Sequence, residues 1–192
     1  MTEEQRRRFT SQINSPSQLR AFEAAKLVWD DPDERVEPAL ILTLKNGRRP
    51  FNRAAAAYAM QVVRSLRTIR ALEAAVNNKS ESPRVRGEAA EALAHYHRRE
   101  SHDVLLRGLN DGNKDVRFWC AFALGQMAEK RAVGRLKSLV ETDKRLVRGF
   151  HSVSKEAADA IGNIEIELSA HRRRNGCVFC IPSGNRRSLN RS

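Results

Sequence analysis

Two stretches that repeat one pattern decide the fold: VRGEAAEAL at residues 85–93 and VRFWCAFAL at residues 116–124. They lie 31 residues apart and share the pattern Val-Arg-x-x-small-Ala-x-Ala-Leu. With Ala90 and Ala121 as anchors, equivalent alanine-rich segments occur at Ala25, Ala57 and Ala158, with successive spacings of 32, 33, 31 and 37 residues. Self-similarity at a nearly fixed period indicates a repeat protein.

A second set of apolar positions keeps the same register. Each of the first four anchors is followed, 15 and 19 residues later, by an aliphatic pair: Leu40 and Leu44, Leu72 and Val76, Leu105 and Leu109, Leu136 and Val140. Residues four apart share one face of a helix. Each unit is therefore predicted to be a helical hairpin that must stack on its neighbours to bury its apolar face. The sequence predicts an all-α solenoid of about five such hairpins, the last incomplete.

This pattern resembles the HEAT repeat, and more narrowly the short HEAT-like repeat named after phycobilisome lyases. The segment Asp111-x5-Arg117 carries the resemblance best. In that family an Asp or Asn in the turn after the second helix bonds an Arg in the next first helix. The resemblance covers roughly residues 15 to 168, and it implies a fold rather than an activity because one scaffold serves many functions. It also implies that Asn46, Asn78 and Asp111 face Arg53, Arg86 and Arg117.

The organisation outside and inside the array follows from composition and spacing. Residues 1–14 are predicted to be a flexible or capping N-terminal arm, 15–168 the repeat array, and 169–192 a basic, partly disordered tail. Ser15-Pro16 and Ser82-Pro83 are predicted to start helices, since serine caps and proline fits the first position. The 37-residue spacing predicts an inserted surface loop over residues 143–152.

The composition also bears on location. No uninterrupted apolar run of about 18 residues occurs, so no membrane-spanning helix is expected. The N-terminus leads into no apolar run typical of a secretory signal. Three cysteines give no disulfide framework, so a reducing cytoplasm is the expected location.

The net charge of +12 is concentrated at one end. Residues 171–192 contain six arginines and no acidic residue, which is half of the excess. Such a tail can neutralise phosphates of nucleic acid, contact anionic lipid or an acidic protein, or remain solvated. The arginines named as an anion-binding tail are Arg172, Arg173, Arg174, Arg186 and Arg187.

The Cys177-x-x-Cys180 motif leaves three interpretations open. A thiolate pair supplies two of the four ligands of a structural zinc site, so zinc would have to be shared with another chain. A redox pair would need a different fold context. The third interpretation is an apolar plug, residues 177–181, that docks on Ile161, Ile164 and Leu168. Cys120, by contrast, takes the place of Ala89 in the repeat and is predicted to be a packed thiol.

The partner-binding surface is predicted on the concave face, lined by exposed residues of the second helices. Their mixed charge suits a protein partner better than bare phosphate. The candidates are Arg70, Glu73, Asn77, Arg107, Asn110, Arg135 and Lys137.

Catalytic motifs are not recognised in the sequence. None of the five histidines is followed by Glu, unlike the iron-binding steps of deoxyhypusine hydroxylase, a HEAT-like protein. Trp29 beside Asp30, and Trp119 near Asp115, resemble residues of HEAT-like DNA glycosylases, but only as isolated matches. The tryptophans are therefore predicted to lie in the core and the aspartates to cap helices. The predicted function is a non-catalytic protein-binding scaffold or adaptor. The alternatives are a nucleic-acid-binding module driven by the tail, and a lyase-type or other enzyme accessory subunit.

Overall fold

The structure, a computed structural model, describes residues 1–96 and 98–176. Over these residues the chain forms α1 (Glu3–Ile13), α2 (Gln18–Asp30), α3 (Glu37–Asn46), α4 (Pro50–Ala59), α5 (Leu66–Asn77), α6 (Pro83–Ala94), α7 (Arg99–Gly108), α8 (Lys114–Gln126), α9 (Val133–Thr142) and α10 (Val153–Gly176). Short 3-10 helices occur at Glu34–Val36, Met60–Val62 and Lys130–Ala132. The predicted all-α solenoid is confirmed.

The helices form two rows. The first helices of the units, α2, α4, α6, α8 and α10, lie side by side, each packed on the next. The second helices, α3, α5, α7 and α9, form the other row, and each packs closely on the first helix that follows it in the chain. We call the two exposed sides the first-helix face and the second-helix face.

Small residues let the first helices approach one another closely. The anchors Ala25, Ala57, Ala90 and Ala121 are fully buried. At Gly125 of α8 a Cβ atom would lie 2.7 Å from the Cα of Ala160 in α10, so only glycine fits at this approach. The predicted inward positions of the second helices are also confirmed, because these leucines are fully buried: Leu40, Leu72, Leu105 and Leu136.

The two ends of the array differ. At the N-terminal end α1 begins with a capping box between Thr2 and Gln5 and buries Phe9 and Ile13 completely, so residues 1–14 include a capping helix. At the other end Ala158, the anchor of α10, is exposed because no first helix follows it within the described residues. The boundary predicted after residue 168 falls inside α10, which continues to Gly176.

One of the two predicted helix starts is wrong. Ser82 caps α6 as predicted, accepting a hydrogen bond from the Val85 N–H, with proline at the first position. The helix expected after Ser15 begins at Gln18 instead, with Ser17 as its cap. The Ser15 hydroxyl accepts from the Ser17 N–H at 3.1 Å, so it stabilises the turn that precedes the helix.

Three arginine–carboxylate pairs join successive units, and we call them the arginine ladder. They are Arg53 Nε to Glu81 at 2.7 Å, Arg86 Nη1 to Asp111 at 2.5 Å, and Arg117 Nε to Asp143 at 2.8 Å.

The ladder corrects the predicted pairing. Each arginine reaches a carboxylate 25 to 28 residues downstream, in the next turn, rather than the preceding one. Asn46 and Asn78 are therefore not the partners, and Arg117 contacts Asp111 through the main-chain carbonyl. A carboxylate gives a buried guanidinium a charge-assisted bond that an amide does not.

Candidate functional site: a groove across the first helices

A groove of about 920 Å³ crosses the first-helix face. We call it the first-helix groove. Its aromatic lining residues are Phe22, Tyr58, Trp119 and Phe150, its acidic ones are Glu88, Glu91 and Asp115, and its basic ones are Arg84 and Arg148.

The repeat itself places these side chains together. Glu88 and Trp119 hold the same position in successive units, two residues before the anchor. Tyr58 and Glu91 hold the position one residue after the anchor. The two positions are three residues apart, so on parallel helices they point to the same side. A row of equivalent outward positions thus becomes one continuous surface.

Trp119 and Phe150 form one side of the groove. Their ring centroids are 5.0 Å apart and their planes meet at 81°, an edge-to-face contact favoured between aromatic rings. Gly87 of α6 makes room for the indole, because a Cβ atom there would lie 2.7 Å from Trp119 Cδ1. The position of the indole therefore depends on the absence of a side chain on the neighbouring helix.

The inserted loop supplies Phe150. The predicted insertion is confirmed, since residues 143–152 lie between the end of α9 and the start of α10. Its turn is closed by a hydrogen bond from the Phe150 N–H to the Val147 carbonyl at 2.9 Å. Gly149 has a φ of +82°, which glycine adopts without strain. The loop root is fixed by Asp143 of the arginine ladder, and Phe150 remains 53% exposed at the groove.

Phe22 and Tyr58 form the other side. Their centroids are 6.2 Å apart, and the Arg84 guanidinium lies 4.9 Å from the centre of the Phe22 ring. Trp29 stacks on Tyr58 at 5.7 Å and donates its indole N–H to the Tyr58 carbonyl at 3.3 Å. Trp29 therefore supports the groove structurally.

Glu88 and Glu91 lie one helical turn apart in the groove and are poorly solvated. Burial raises the pKa of Glu88 to about 7, with a smaller contribution from the charge of Glu91, while Arg84 opposes the rise. Burial likewise raises the pKa of Glu91 to about 7. Over residues 1–96 and 98–176 no hydrogen bond or ion pair engages either carboxylate. Desolvated acids of this kind are common at binding sites.

Asp115 has one buried oxygen without a hydrogen-bond partner among the described residues. Its main-chain N–H donates to the Asn113 side chain at 2.8 Å, but its Oδ1 atom is buried without a hydrogen-bond partner in the described part of the chain. This oxygen has almost no solvent-accessible surface, so a ligand in the groove does not contact it as the protein stands.

The predicted second-helix residues lie away from this groove. Glu73 accepts a hydrogen bond from the Ser101 hydroxyl at 2.7 Å, and Arg135 donates to Ser138 at 3.1 Å. Arg70 lines a shallow pocket of about 280 Å³ together with Lys45 and Arg67. Their role in partner binding stays a prediction. The members of the set that are exposed are Arg70, Asn77, Arg107, Asn110 and Lys137.

Most of the predicted tail sites fall outside the described residues. Arg173 is exposed on α10. Outside the description lie the side chains of Arg172 and Arg174 and the whole of Cys177, Cys180, Arg186 and Arg187, with the predicted plug.

Three other predictions concern the part of the chain that the structure describes: the packing of Cys120, metal ligands and membrane-spanning helices. Cys120 is a buried free thiol whose pKa burial raises to about 12, which confirms the predicted packed thiol. In the described ranges no three His, Cys, Asp or Glu side chains gather as metal ligands. None of the helices formed there is long and apolar enough to cross a membrane.

Three residues of the candidate groove were not predicted as site residues: Trp119 within the second quoted repeat, Asp115 directly before it, and Phe150 in the inserted loop. Trp119 and Asp115 were predicted to serve the core and a helix cap, yet both line the groove. The available signal was the repeat position: Trp119 is equivalent to Glu88, and a position that tolerates Glu faces outward. Phe150 gave no such signal because it lies in an insertion without equivalents.

Comparisons with known proteins agree on the fold. Residues 77–150 match a family model described as HEAT repeats, so the resemblance predicted from the sequence is confirmed. No curated protein matches the chain. Among solved structures, the complex of CpcE and CpcF of phycocyanin lyase from Nostoc sp. PCC7120 is similar, with a TM-score of 0.57 and 21% identity. The match covers 76% of this chain and 59% of the length of that one, and it shows the fold.

Proposed function

Because residues 77–150 match HEAT repeats and the chain folds as an α-solenoid, we propose that it is a non-catalytic scaffold or adaptor that binds a partner protein through the first-helix groove. The observation that carries the proposal is the clustering of four aromatic side chains, from three helices and one loop, in a single open groove. Tyr and Trp anchors in pockets supply most of the binding energy of protein interfaces.

The two faces differ in what they offer a partner. The aromatic anchors lie on the first-helix face, whereas the second-helix candidates are charged or amide side chains. Interface centres are enriched in aromatic residues, which supports the first-helix groove over the predicted second-helix surface. The solved neighbour is itself a complex of two proteins, and this also supports a protein partner.

Site-specific photo-crosslinking in the native host tests the proposal. Phe150, exposed at the groove, is replaced by the photoreactive p-benzoylphenylalanine, and so, in a matched control, is Leu42, which is 62% exposed on α3. We expect a discrete protein adduct from position 150 after irradiation, identified by mass spectrometry. Adducts from position 42 alone would contradict the proposal.

A second candidate function is nucleic-acid binding, favoured by the basic residues of the second-helix face and the tail. Lys45, Arg67 and Arg70 share one shallow pocket, and Arg107 and Lys137 are exposed on other second helices, α7 and α9. Phosphate contacts of this kind produce steeply salt-dependent binding. Retention on DNA that falls steeply with salt and is lost on removal of residues 171–192 would support it.

Two further predictions remain proposals. A lyase-type accessory role rests only on the likeness of fold to the phycocyanin lyase complex. We also propose a reducing cytoplasm as the location, because three cysteines give no disulfide framework.

A further inference from the structure

The carboxylates of the first-helix groove restrict what can occupy it. Glu88 and Glu91 lie one turn apart on α6, and neither has an ion-pair partner among the described residues. Arg84 is a cation that acts on Glu88, and its guanidinium is placed over the Phe22 ring. A neutral apolar ligand would cover these carboxylates without replacing their lost hydration, which is costly. The ligand must therefore bring hydrogen-bond donors, and a positive charge is favoured.

The aromatic lining restricts the ligand further. Trp119 and Phe150 on one side, and Tyr58 on the other, present rings next to the acidic pair. A cation is attracted to the face of an aromatic ring, and Trp is the best such partner. A guanidinium stacks on rings and donates two parallel hydrogen bonds to a carboxylate, whereas an ammonium is a strongly hydrated point charge. Arginine thus satisfies both features of the groove better than lysine does.

The dimensions indicate a peptide segment rather than a free amino acid. The groove extends from Phe22 on α2, across α4 and α6, to Trp119 on α8. Neighbouring helices pack about 8–10 Å apart, so the groove spans roughly 24–30 Å. That is the length of about eight or nine residues of extended chain. Single amino acids would leave most of the aromatic surface uncovered.

We propose that the first-helix groove binds an extended segment of a partner protein that carries an arginine, with the guanidinium seated between Glu88 and Glu91 and against the rings of Trp119 and Phe150. This inference rests on the proposed function, and it adds the chemistry of the partner.

The test uses a phage-displayed library of random nine-residue peptides and the full-length protein. The library is first depleted on the Trp119→Ala/Phe150→Ala variant and then selected on the wild-type protein. We expect the enriched peptides to share an arginine at one fixed position. Enrichment of peptides without a cation, enrichment of acidic peptides, or no enrichment at all would overturn the inference.

A substitution within the selected peptide isolates the role of the charge. Citrulline is isosteric with arginine but neutral, so fluorescence anisotropy with the two forms measures the preference for the guanidinium. We expect at least tenfold tighter binding of the arginine form by the wild-type protein, and a preference below about threefold in the Glu88→Gln/Glu91→Gln variant. An arginine preference that survives in this variant would overturn the inference, provided that circular dichroism shows it folded.

The outcomes separate the inference from the function on which it rests. Peptides that bind the groove without an arginine preference leave the scaffold proposal standing and remove only the partner chemistry. The absence of any adduct from position 150 in the crosslinking experiment removes the groove as the binding surface.

Discussion

At the scale of single residues, the arginine ladder fixes how successive units sit on one another. Arg86 and Arg117 are 5% and 4% exposed, and each is paired with a carboxylate that is buried as well. Removing one member of a buried pair leaves the other without compensation, and the cost exceeds that of losing a surface salt bridge. The ladder therefore makes the register between units sensitive to single substitutions.

Replacement of Arg117 by alanine is expected to lower the free energy of unfolding by about 3 kcal/mol, because Asp143 then stays buried with only the exposed Arg145 as partner. Urea denaturation followed by circular dichroism measures the change. The exposed Arg107→Ala serves as the control and is expected to change stability by less than about 0.5 kcal/mol. A loss below about 1 kcal/mol for Arg117→Ala would contradict the structural role of the ladder.

The groove carboxylates are expected to reduce stability at high pH. The folded pKa of Glu88 is about 7, above the ordinary value of 4.5, so the folded state holds the proton more tightly than the unfolded state. Stability from this group is present at low pH and is lost as the pH rises from about 4.5 to 7. Glu88→Gln should therefore raise the free energy of unfolding at pH 8 by about 1–2 kcal/mol relative to wild type.

The same comparison at pH 4 provides the check. Wild-type Glu88 is then largely protonated in both states, so the difference between the variant and wild type should nearly vanish. The exposed Glu23→Gln is the matched control and is expected to show no pH-dependent gain. An equal effect of Glu88→Gln at the two pH values would contradict the burial of this carboxylate.

At the residue scale the sequence predicted which arginines matter but not their partners. The register of Arg53, Arg86 and Arg117 is readable because it repeats with the units. The partner depends on which of two neighbouring turns a long, flexible side chain reaches, and this is decided by packing. Glu81 and Asp143 occupy different positions within their units from that of Asp111, so the repeat pattern does not predict them as partners.

At the scale of elements, the close approach of α8 and α10 depends on Gly125. A Cβ there would lie 2.7 Å from Ala160 Cα and 2.8 Å from its Cβ, so one helix must move. Gly125→Ala is expected to lower the free energy of unfolding by about 1–3 kcal/mol. Gly134→Ala on α9 is the matched control, because a Cβ there meets no atom within 4 Å.

The control substitution is expected to act in the opposite direction. Alanine is a better helix former than glycine, so Gly134→Ala should stabilise the protein by about 0.5–1 kcal/mol. Thermal denaturation of both variants measures the contrast. Two variants of equal stability would show that α8 and α10 are not in the tight contact described.

The sequence predicts which helices form better than it predicts where each helix begins and ends. The helices follow from the alanine anchors and the leucines that keep their register. The start of α2 was misplaced because Ser15-Pro16 and Ser17 both offer capping chemistry, and tertiary packing selects Ser17. The continuation of α10 to Gly176 was missed because the polar run after Leu168 carries no apolar period.

At the scale of the whole molecule, stacking of repeats leaves two long faces, and function depends on which one binds. The sequence predicted the stack but placed the site on the second helices. It could not reveal that outward positions of three first helices and one inserted loop meet in an aromatic groove, because Phe150 has no repeat equivalent. The mixed charge of the second-helix residues favoured that face, while Trp29 and Trp119 were attributed to the core.

The most direct test of which face binds is the dissociation constant of the partner protein, measured by calorimetry. The partner is first identified by pull-down from the native host. Its affinity for the wild-type protein is then compared with its affinity for two surface variants. The first variant, Trp119→Ala/Phe150→Ala, removes groove anchors, and the second, Arg70→Ala/Arg107→Ala/Lys137→Ala, removes second-helix charges. We predict that the groove variant weakens binding by at least about 100-fold, as expected for two aromatic hot spots, while the charge variant stays within about threefold of wild type. Undiminished binding by the groove variant, with loss of binding by the charge variant, would contradict the account.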